Sequence, residues 1–357
     1  MKICFAINDL CAGGGERVFS SLVNEIASTT THEVTAICFV ENYYITRFYR
    51  LDNCVKTHLV DYESSIQLKT ALCKIKPDVV VSFLNPMNYA ISVATRELDI
   101  PHIASERNNP YNSPNKEESR ANRDEAFLYA AGCVFQTKEA ASYFIGKTTG
   151  LSTIIPNPVV LDAPNTLTNN CLKEDKIVAV GRYAEQKDYF TMLKAFSLFL
   201  DKHPSYKLEC YGKDSGALPD VVSCAESLGV CSNVVFNKET RKVHGKIQSS
   251  KVFLMTSLFE GLPNALAEAA ALGLPCVASD IPGIRDLVER YRFGILCPPK
   301  DVGSFAAAMD RIVGDQALAE AFAQNGKRLY EDGRIEVVAR QWLDFISVVV
   351  NKSQEKC

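Results

Sequence analysis

Short apolar, β-branched runs alternate with longer amphipathic stretches along the whole chain. In the first half, Ile3–Ile7, Val34–Val40, Asp78–Phe83, His102–Ser105 and Gly132–Gln136 read as buried strands. Val18–Ala27, Ile66–Ile75 and Met87–Leu98 between them carry the spacing of amphipathic helices. Strands separated by such helices predict right-handed βαβ units and a parallel sheet. The pattern pauses over Ile155–Lys176, a segment rich in Pro, Asn, Thr and charge that reads as an inter-domain linker. A second series follows at Ile177–Gly181, Tyr206–Tyr211, Asn233–Phe236, Val252–Met255, Pro275–Ser279 and Gly294–Cys297, before several C-terminal helices. Two similar α/β lobes with a cleft between them are expected, with ligands at the carboxyl ends of the strands.

Length supports that division, because 357 residues exceed the roughly 250–300 at which single cores stop growing. A chain that is 47% hydrophobic and 23% charged is an ordinary globular protein, not a collagen or a disordered tail. Its 39 Lys and Arg against 42 Asp and Glu give a net charge of −3, too balanced for a nucleic-acid binder. No apolar run approaches the ~20 residues of a membrane span, and the start lacks a secretory pattern. The thirteen cysteines include no C-x-x-C pair. Cys4, Cys38, Cys210 and Cys276 sit inside β-like runs as small hydrophobes. Reduced thiols, a cytoplasmic setting and no metal site are expected.

Three motifs carry candidate chemistry. Gly13-Gly14-Gly15-Glu16-Arg17 follows the first strand and opens a helix, where glycine permits a tight turn and the helix N-terminus favours phosphate. As a dinucleotide fingerprint it lacks the third glycine, Val18 standing there, although Glu41 closes the second strand where a ribose acid would lie. A nicotinamide site and a plain β–α turn both stay open here. Gly181-Arg182 and Lys187 follow the first strand of the second lobe. An arginine fork and a mobile lysine charge can together neutralise a pyrophosphate; the alternative is a solvated helix start. Glu260-Gly261-Leu262-Pro263-Asn264-Ala265-Leu266-Ala267-Glu268 is the most informative. Pro263 fits the first turn of a helix, the N–H groups of Asn264 and Ala265 face an anion, and Glu268 interrupts an apolar helix where an unpaired acid is costly.

The ordered set, G-G-x-E-R at Gly13–Arg17, G-R-x-x-x-x-K at Gly181–Lys187 and E-G-L-P-x-x-x-x-E at Glu260–Glu268, resembles the retaining GT-B glycosyltransferases of family 4. Asn157-Pro158-Val159 is similar to the segment that ends their N-terminal lobe. Ser82-Phe83-Leu84 with Asn88, and Ser105-Glu106, resemble the N-acetylgalactosaminyltransferase-type enzymes of bacterial glycan assembly. Arg107 departs from the family, which often places a histidine after the Ser-Glu pair; an arginine cannot act as a base, but it can bind a phosphate or an acceptor hydroxyl.

The resemblance implies an α/β GT-B fold of two Rossmann-like parallel-sheet domains facing a central cleft. Its expected parts are an acceptor-side domain over 1–160, a linker over 161–175, a nucleotide-sugar domain over 176–335 and a helix over 336–357 returning to the first domain. It implies Arg182 and Lys187 on the donor diphosphate, Glu268 on the ribose hydroxyls and Glu260 on the transferred sugar. Gly181, Gly261, Leu262 and Asn264 would shape the loops, with Gly14 and Gly15 facing the diphosphate and Arg107 near the acceptor. The reaction implied is transfer of a hexose or N-acetylhexosamine from a nucleotide-diphosphate sugar, UDP first among them, to a lipid-linked or polysaccharide acceptor. It proceeds by front-side displacement with retention and requires neither metal nor cofactor. An NAD(P)-dependent oxidoreductase and a non-catalytic nucleotide-sugar-binding protein are the alternatives. Lys116, Arg120 and Arg123 recur at helical spacing as a basic stripe for a lipid diphosphate or anionic membrane, or as part of a solvated mixed-charge helix. The implied location is the cytoplasm, with peripheral contact on the inner face of the cell membrane. His102 and His244 have no carboxylate or cysteine at ligand spacing, and Trp342 reads as a packing anchor.

Overall fold

A computed structural model describes residues 1–11, 13–40, 48–61, 64–161 and 172–355. Glu41 lies outside them, and so does most of the expected linker. The chain divides into two compact units, Met1–Pro158 with Gly333–Cys357, and Val159–Asp332. The division falls inside the Ile155–Lys176 segment and just ahead of the 161–175 linker, because Val159 and Leu161 already pack in the second unit's core.

In unit 1 the elements run β1 (Lys2–Ile7), α1 (Gly14–Thr29), β2 (Glu33–Phe39), β3 (Lys56–Val60), α2 (Ser65–Ile75), β4 (Val79–Phe83), α3 (Met87–Leu98), β5 (His102–Glu106), α4 (Glu117–Tyr129), β6 (Gly132–Phe135), α5 (Lys138–Tyr143) and β7 (Leu151–Ile154). They form a seven-stranded sheet in the order β3-β2-β1-β4-β5-β6-β7, parallel throughout. Strand order reverses between β1 and β4, which is where an open α/β sheet receives a ligand at its carboxyl edge. The period of two sends Ile3, Phe5 and Ile7 to one face and Cys4 and Ala6 to the other. Both faces are covered, as parallel sheets require. On the first face, Phe5 and Phe19 meet edge-on at 6.3 Å, Phe19 and Phe83 at 5.4 Å, and Trp342 stacks on Phe83 at 5.4 Å. Trp342 belongs to the long C-terminal helix Ile335–Gln354 and is fully buried, so it is the packing anchor that its isolation suggested.

Strands β3 and β7 were not legible in the sequence. They flank the sheet, and their half-exposed patterns, KTHLV and LSTI, never present the continuous apolar run that marks a central strand. Helix α1 begins at Gly14, well ahead of Val18, with Gly13 as N-cap; two glycines masked the start because glycine disfavours helix.

Unit 2 runs β8 (Lys176–Val180), α6 (Tyr189–Leu200), β9 (Lys207–Tyr211), α7 (Leu218–Ser227), β10 (Val234–Asn237), α8 (Val243–Ile247), β11 (Val252–Met255), α9 (Asn264–Ala271), β12 (Cys276–Ser279), α10 (Pro282–Tyr291), β13 (Gly294–Cys297), α11 (Val302–Gly314) and α12 (Gln316–Gly333). Its six-stranded sheet has the order β10-β9-β8-β11-β12-β13, again parallel. The reversal here lies between β8 and β11. The loop carrying Arg182 and Lys187 leaves one of these strands and the loop carrying Glu260 leaves the other. Topology therefore brings two sequence-distant motifs to one edge.

The basic stripe does not form. Lys116 is the N-cap of α4, while Arg123 is 1% exposed. Arg123 donates to the carbonyls of Pro110 and Ser113 at 2.9 and 2.7 Å and pairs with Asp124 at 2.8 Å. Its charge closes the loop after β5 instead of facing solvent. Among the described residues no helix is long and apolar enough to cross a membrane.

Candidate active site

The second unit's site starts at the end of β8. Gly181 hydrogen-bonds to Tyr211 O at 3.0 Å, and beyond it Gly212 faces Gly181 so closely that a Cβ on Gly212 would lie 1.9 Å from Gly181 O. Only glycine at 212 lets β8 and β9 release their loops this near each other. A Cβ on Gly181 would stand 3.2 Å from Lys187 Cε, so Gly181 gives the lysine stem its room. Tyr189 donates to Gly181 O at 2.8 Å, and Tyr183 lies at hydrogen-bonding distance from Cys210 O and Asn237 O, 2.9 and 2.8 Å. The loop then tightens into a 3₁₀ turn at Glu185–Lys187. Asp188, in the left-handed region at φ 47°, caps α6 by accepting from Thr191 N–H and its hydroxyl at 3.2 and 2.7 Å.

This loop is stitched to the one after β11. The Thr256 hydroxyl reaches Lys187 O and Asp188 O, each at 2.9 Å. Leu258 N–H donates to Gln186 O at 2.8 Å, and Gln186 Nε2 donates to Phe259 O at 2.8 Å. At the centre, Lys187 Nζ and Glu260 Oε1 are 2.5 Å apart, with 16% and 9% of their side chains exposed; Gln186 Nε2 also approaches Glu260 Oε2 at 3.4 Å. Arg182 stays exposed, touching only the Gln186 amide oxygen at 3.4 Å among its described contacts. The result is one cation held in place and a second beside it in the same loop. Glu260 thus already holds Lys187 and Gln186, which reading it simply as a sugar ligand did not include.

Gly261 and Leu262 are half-buried and lead to α9, whose N-cap is Pro263 and whose first residue is Asn264. The proline therefore precedes the first turn, and the ladder begins with Ala267 N–H to Pro263 O at 3.2 Å. Glu268, one turn along, is 4% exposed. Its Oε2 lies 3.0 Å from Nε2 of His244, on α8 and 1% exposed. The partner that an acid in an apolar helix must have is this histidine. No spacing in the chain pointed to it, because the two residues meet only when α8 packs on α9. Gln186 and Thr256 were missed likewise, one as an unspecified position inside a motif and the other just ahead of one.

In unit 1, Gly15 lies against Leu84, to whose Cδ1 a Cβ would come within 3.0 Å. The turn after β4 is tied to β1 by Asn8, which donates to Asn85 O at 2.8 Å and accepts from Met87 N–H at 3.0 Å. Gly14 is exposed in the first turn of α1. Arg107 lies inside the unit, 6% exposed. It donates from Nε to Ser105 Oγ at 2.7 Å, and from one terminal nitrogen to Ile155 O and Asn157 Oδ1 at 3.2 and 2.9 Å. Its guanidinium carbon lies 5.4 Å from the Phe83 ring and 5.1 Å from that of Trp342. Burial pulls Arg107 down to about 9, Glu106 partly offsetting. The same burial pushes Glu106 up to about 7 against its hydrogen bonds to the Asn108 and Arg107 backbone and the nearby arginines. Behind them, the Ser82 hydroxyl donates to Asn88 Oδ1 at 2.7 Å and sits 2.6 Å from His102 Nε2, and Asn88 donates to Ser105 O at 3.1 Å. Burial alone holds His102 neutral, down to about 3. Among the described residues no cluster of three or more His, Cys, Asp or Glu could hold a metal ion.

Two parallel Rossmann-like sheets are the architecture of the GT-B fold, and here opposed charges gather at the second sheet's reversal point. Residues 168–329 match the family model of glycosyl transferases group 1, so unit 2 carries a group 1 glycosyltransferase domain. The chain is 26% identical over 370 residues to a Campylobacter jejuni GalNAc-alpha-(1->4)-GalNAc-alpha-(1->3)-diNAcBac-PP-undecaprenol alpha-1,4-N-acetyl-D-galactosaminyltransferase, covering 98% of this chain and 99% of that protein. It is 28% identical over 221 residues to the Escherichia coli UDP-Gal:alpha-D-GlcNAc-diphosphoundecaprenol alpha-1,3-galactosyltransferase, 56% of this chain and 55% of that one. Among solved structures, Anabaena Alr3699/HepE in complex with UDP superposes with a TM-score of 0.80 at 14% identity, over 98% of this chain and all of the other. That likeness is one of fold.

Proposed function

We propose that the chain transfers a hexose or N-acetylhexosamine from a UDP-sugar to a polyprenyl-diphosphate-linked glycan, with retention at the anomeric carbon. The observation that carries the reading is the Lys187–Glu260 pair, with Arg182 in the same loop, at the carboxyl edge between β8 and β11. An ammonium has three donors, so Lys187 can keep Glu260 and still reach a diphosphate. The carboxylate then fixes where the positive charge stands. As the bond from the anomeric carbon to the diphosphate breaks, negative charge grows on the leaving oxygens, and Arg182 and Lys187 stabilise it there. The acceptor hydroxyl attacks the same face and its proton passes to the departing phosphate. Charge compensation by two cations requires no metal in this scheme.

Glu268 takes the ribose hydroxyls, and Gly261, Leu262 and Asn264 close the loop over the sugar. Gly14 and Gly15 supply a backbone surface for the donor. Arg107 acts from inside unit 1, holding the segment after β5 in shape. The lipid-linked acceptor places the protein peripherally on the inner face of the cell membrane. Both similar proteins named above act on undecaprenyl-diphosphate-linked glycans by their names, which supports the acceptor class. The oxidoreductase alternative rested on Gly13, Gly15 and Glu41, and it leaves the group 1 domain unexplained.

The test incubates the chain with UDP-GalNAc, UDP-GlcNAc, UDP-Gal or UDP-Glc and an undecaprenyl-diphosphate-linked acceptor, reading UDP release and product anomer by NMR. An α-linked product with UDP release is expected. A β-linked product removes retention, and nucleotide binding without turnover on any acceptor favours the binding protein.

A further inference from the structure

We infer that His244 is the positioning residue of the nucleotide site: it fixes the Glu268 carboxylate in the orientation that receives a ribose diol. The inference rests on the donor reading above and adds to it a residue to which the sequence assigned nothing. Every residue of α9 from Leu266 to Ala271 is buried, and apart from Glu268 all are alanine or leucine. A carboxylate there cannot be oriented by water. It takes its orientation from whatever polar group the fold supplies.

The fold supplies an imidazole. His244 stands in the short helix α8 (Val243–Ile247), whose ladder bond from Gln248 N–H to His244 O at 3.1 Å holds its backbone. In the tautomer that protonates Nε2, the ring donates to Glu268 Oε2 across 3.0 Å. A charge-assisted bond between two buried side chains is strong and directional. It locks one oxygen, and with it the plane of the carboxylate. A vicinal diol needs that plane set before it arrives, because two parallel hydrogen bonds tolerate little rotation of the acceptor.

Ribose lies away from the bond that breaks, so loss of this positioning weakens binding of ground and transition states alike. The measurement is the affinity of the full chain for UDP, GDP and ADP and for their 2′-deoxy counterparts, by calorimetry, with kcat and KM for the donor. For the nucleotide that binds, wild type favours the ribo form. His244→Leu is expected to weaken the ribonucleotide about tenfold, to bring the ribo/deoxy ratio towards one, and to raise KM while kcat holds. His244→Gln, which returns an amide N–H near the position of Nε2, is expected to restore most of the ratio. A control is the half-buried pair His203 and Asp310, 2.8 Å apart, where His203→Leu leaves the ratio unchanged.

The outcomes separate the two claims. A wild type that binds none of the nucleotides, or a Glu268→Gln variant that keeps the wild-type ratio, overturns the ribose assignment itself. If Glu268→Gln abolishes the ratio while folded His244→Leu keeps it, the ribose reading stands and the positioning role falls. If His244→Leu melts early, His244→Asn carries the test, because its amide is one methylene too short to reach Glu268 Oε2. A role in folding alone lowers the active fraction of His244→Asn without moving its ribo/deoxy ratio, whereas a positioning role brings that ratio towards one while His244→Gln keeps it.

Discussion

Each unit builds a polar cluster on and beyond its central strands, yet the clusters are built to opposite ends. In unit 1, Ser82, Asn88, His102, Ser105 and Arg107 are all buried and hydrogen-bond to one another, to the backbone, or to Asn157. In unit 2, Arg182 is exposed, Lys187 is partly so, and cations and carboxylates meet in loops. The same α/β layering therefore hosts a network that fixes loops and a network that offers charge. Buried polar groups that satisfy one another rigidify a core. Charges at a loop edge keep donors available for a ligand, and the ion pair only sets their position.

The sharpest way to break this contrast is Lys187→Ala. If the lysine stabilises a leaving diphosphate, turnover at saturating donor should fall by a factor on the order of 10²–10³, as when one oxyanion donor is lost. Near-normal turnover in a steady-state assay would return Lys187 to a solvated helix start. Arg107→Leu should do the reverse. It strands the acceptors at Asn157, Ile155 and Ser105 and should cost about 3 kcal/mol of unfolding free energy. Urea denaturation of the whole chain would read it, and an unchanged midpoint would show the network to be dispensable.

Gly283→Ala probes how far the site depends on its loop. A Cβ there would lie 1.9 Å from Gly261 O and 3.5 Å from Glu260 O, so the loop carrying Glu260 must move, at a cost of about 2 kcal/mol. Donor KM should rise more than Tm falls; the opposite order would place the effect in helix α10 instead. The smallest effect is a pH dependence in unit 1. Burial lowers His102 from 6.5 to about 3, so as pH falls below 6.5 the unfolded chain gains a proton that the folded chain refuses. Wild type loses stability in that window. His102→Gln lacks the titration, and its stability relative to wild type should improve by about 1.4 kcal/mol between pH 7.5 and 5.5. A constant difference across that range would mean that His102 charges in the fold.

Much of this protein was determined by its sequence. The central strands were legible because a parallel sheet covered on both faces demands unbroken apolar runs, as in Val79–Phe83 and Val252–Met255. The loops after β8 and β11 were legible because glycine, cations and a proline punctuate strand ends in a fixed order. Edge strands β3 and β7 were not, since all but Val60 of their residues are partly or fully exposed and carry no continuous signal. Pairings across the fold belonged to tertiary structure alone. Arg123 and Arg107 read as surface or ligand-facing cations, and only packing drew both inside, to acceptors that the chain leaves in neighbouring loops. Glu268 announced that it needed a partner, because an acid among alanines cannot stand alone in a core. That the partner is His244 follows from helix α8 lying on helix α9, a contact no local pattern encodes.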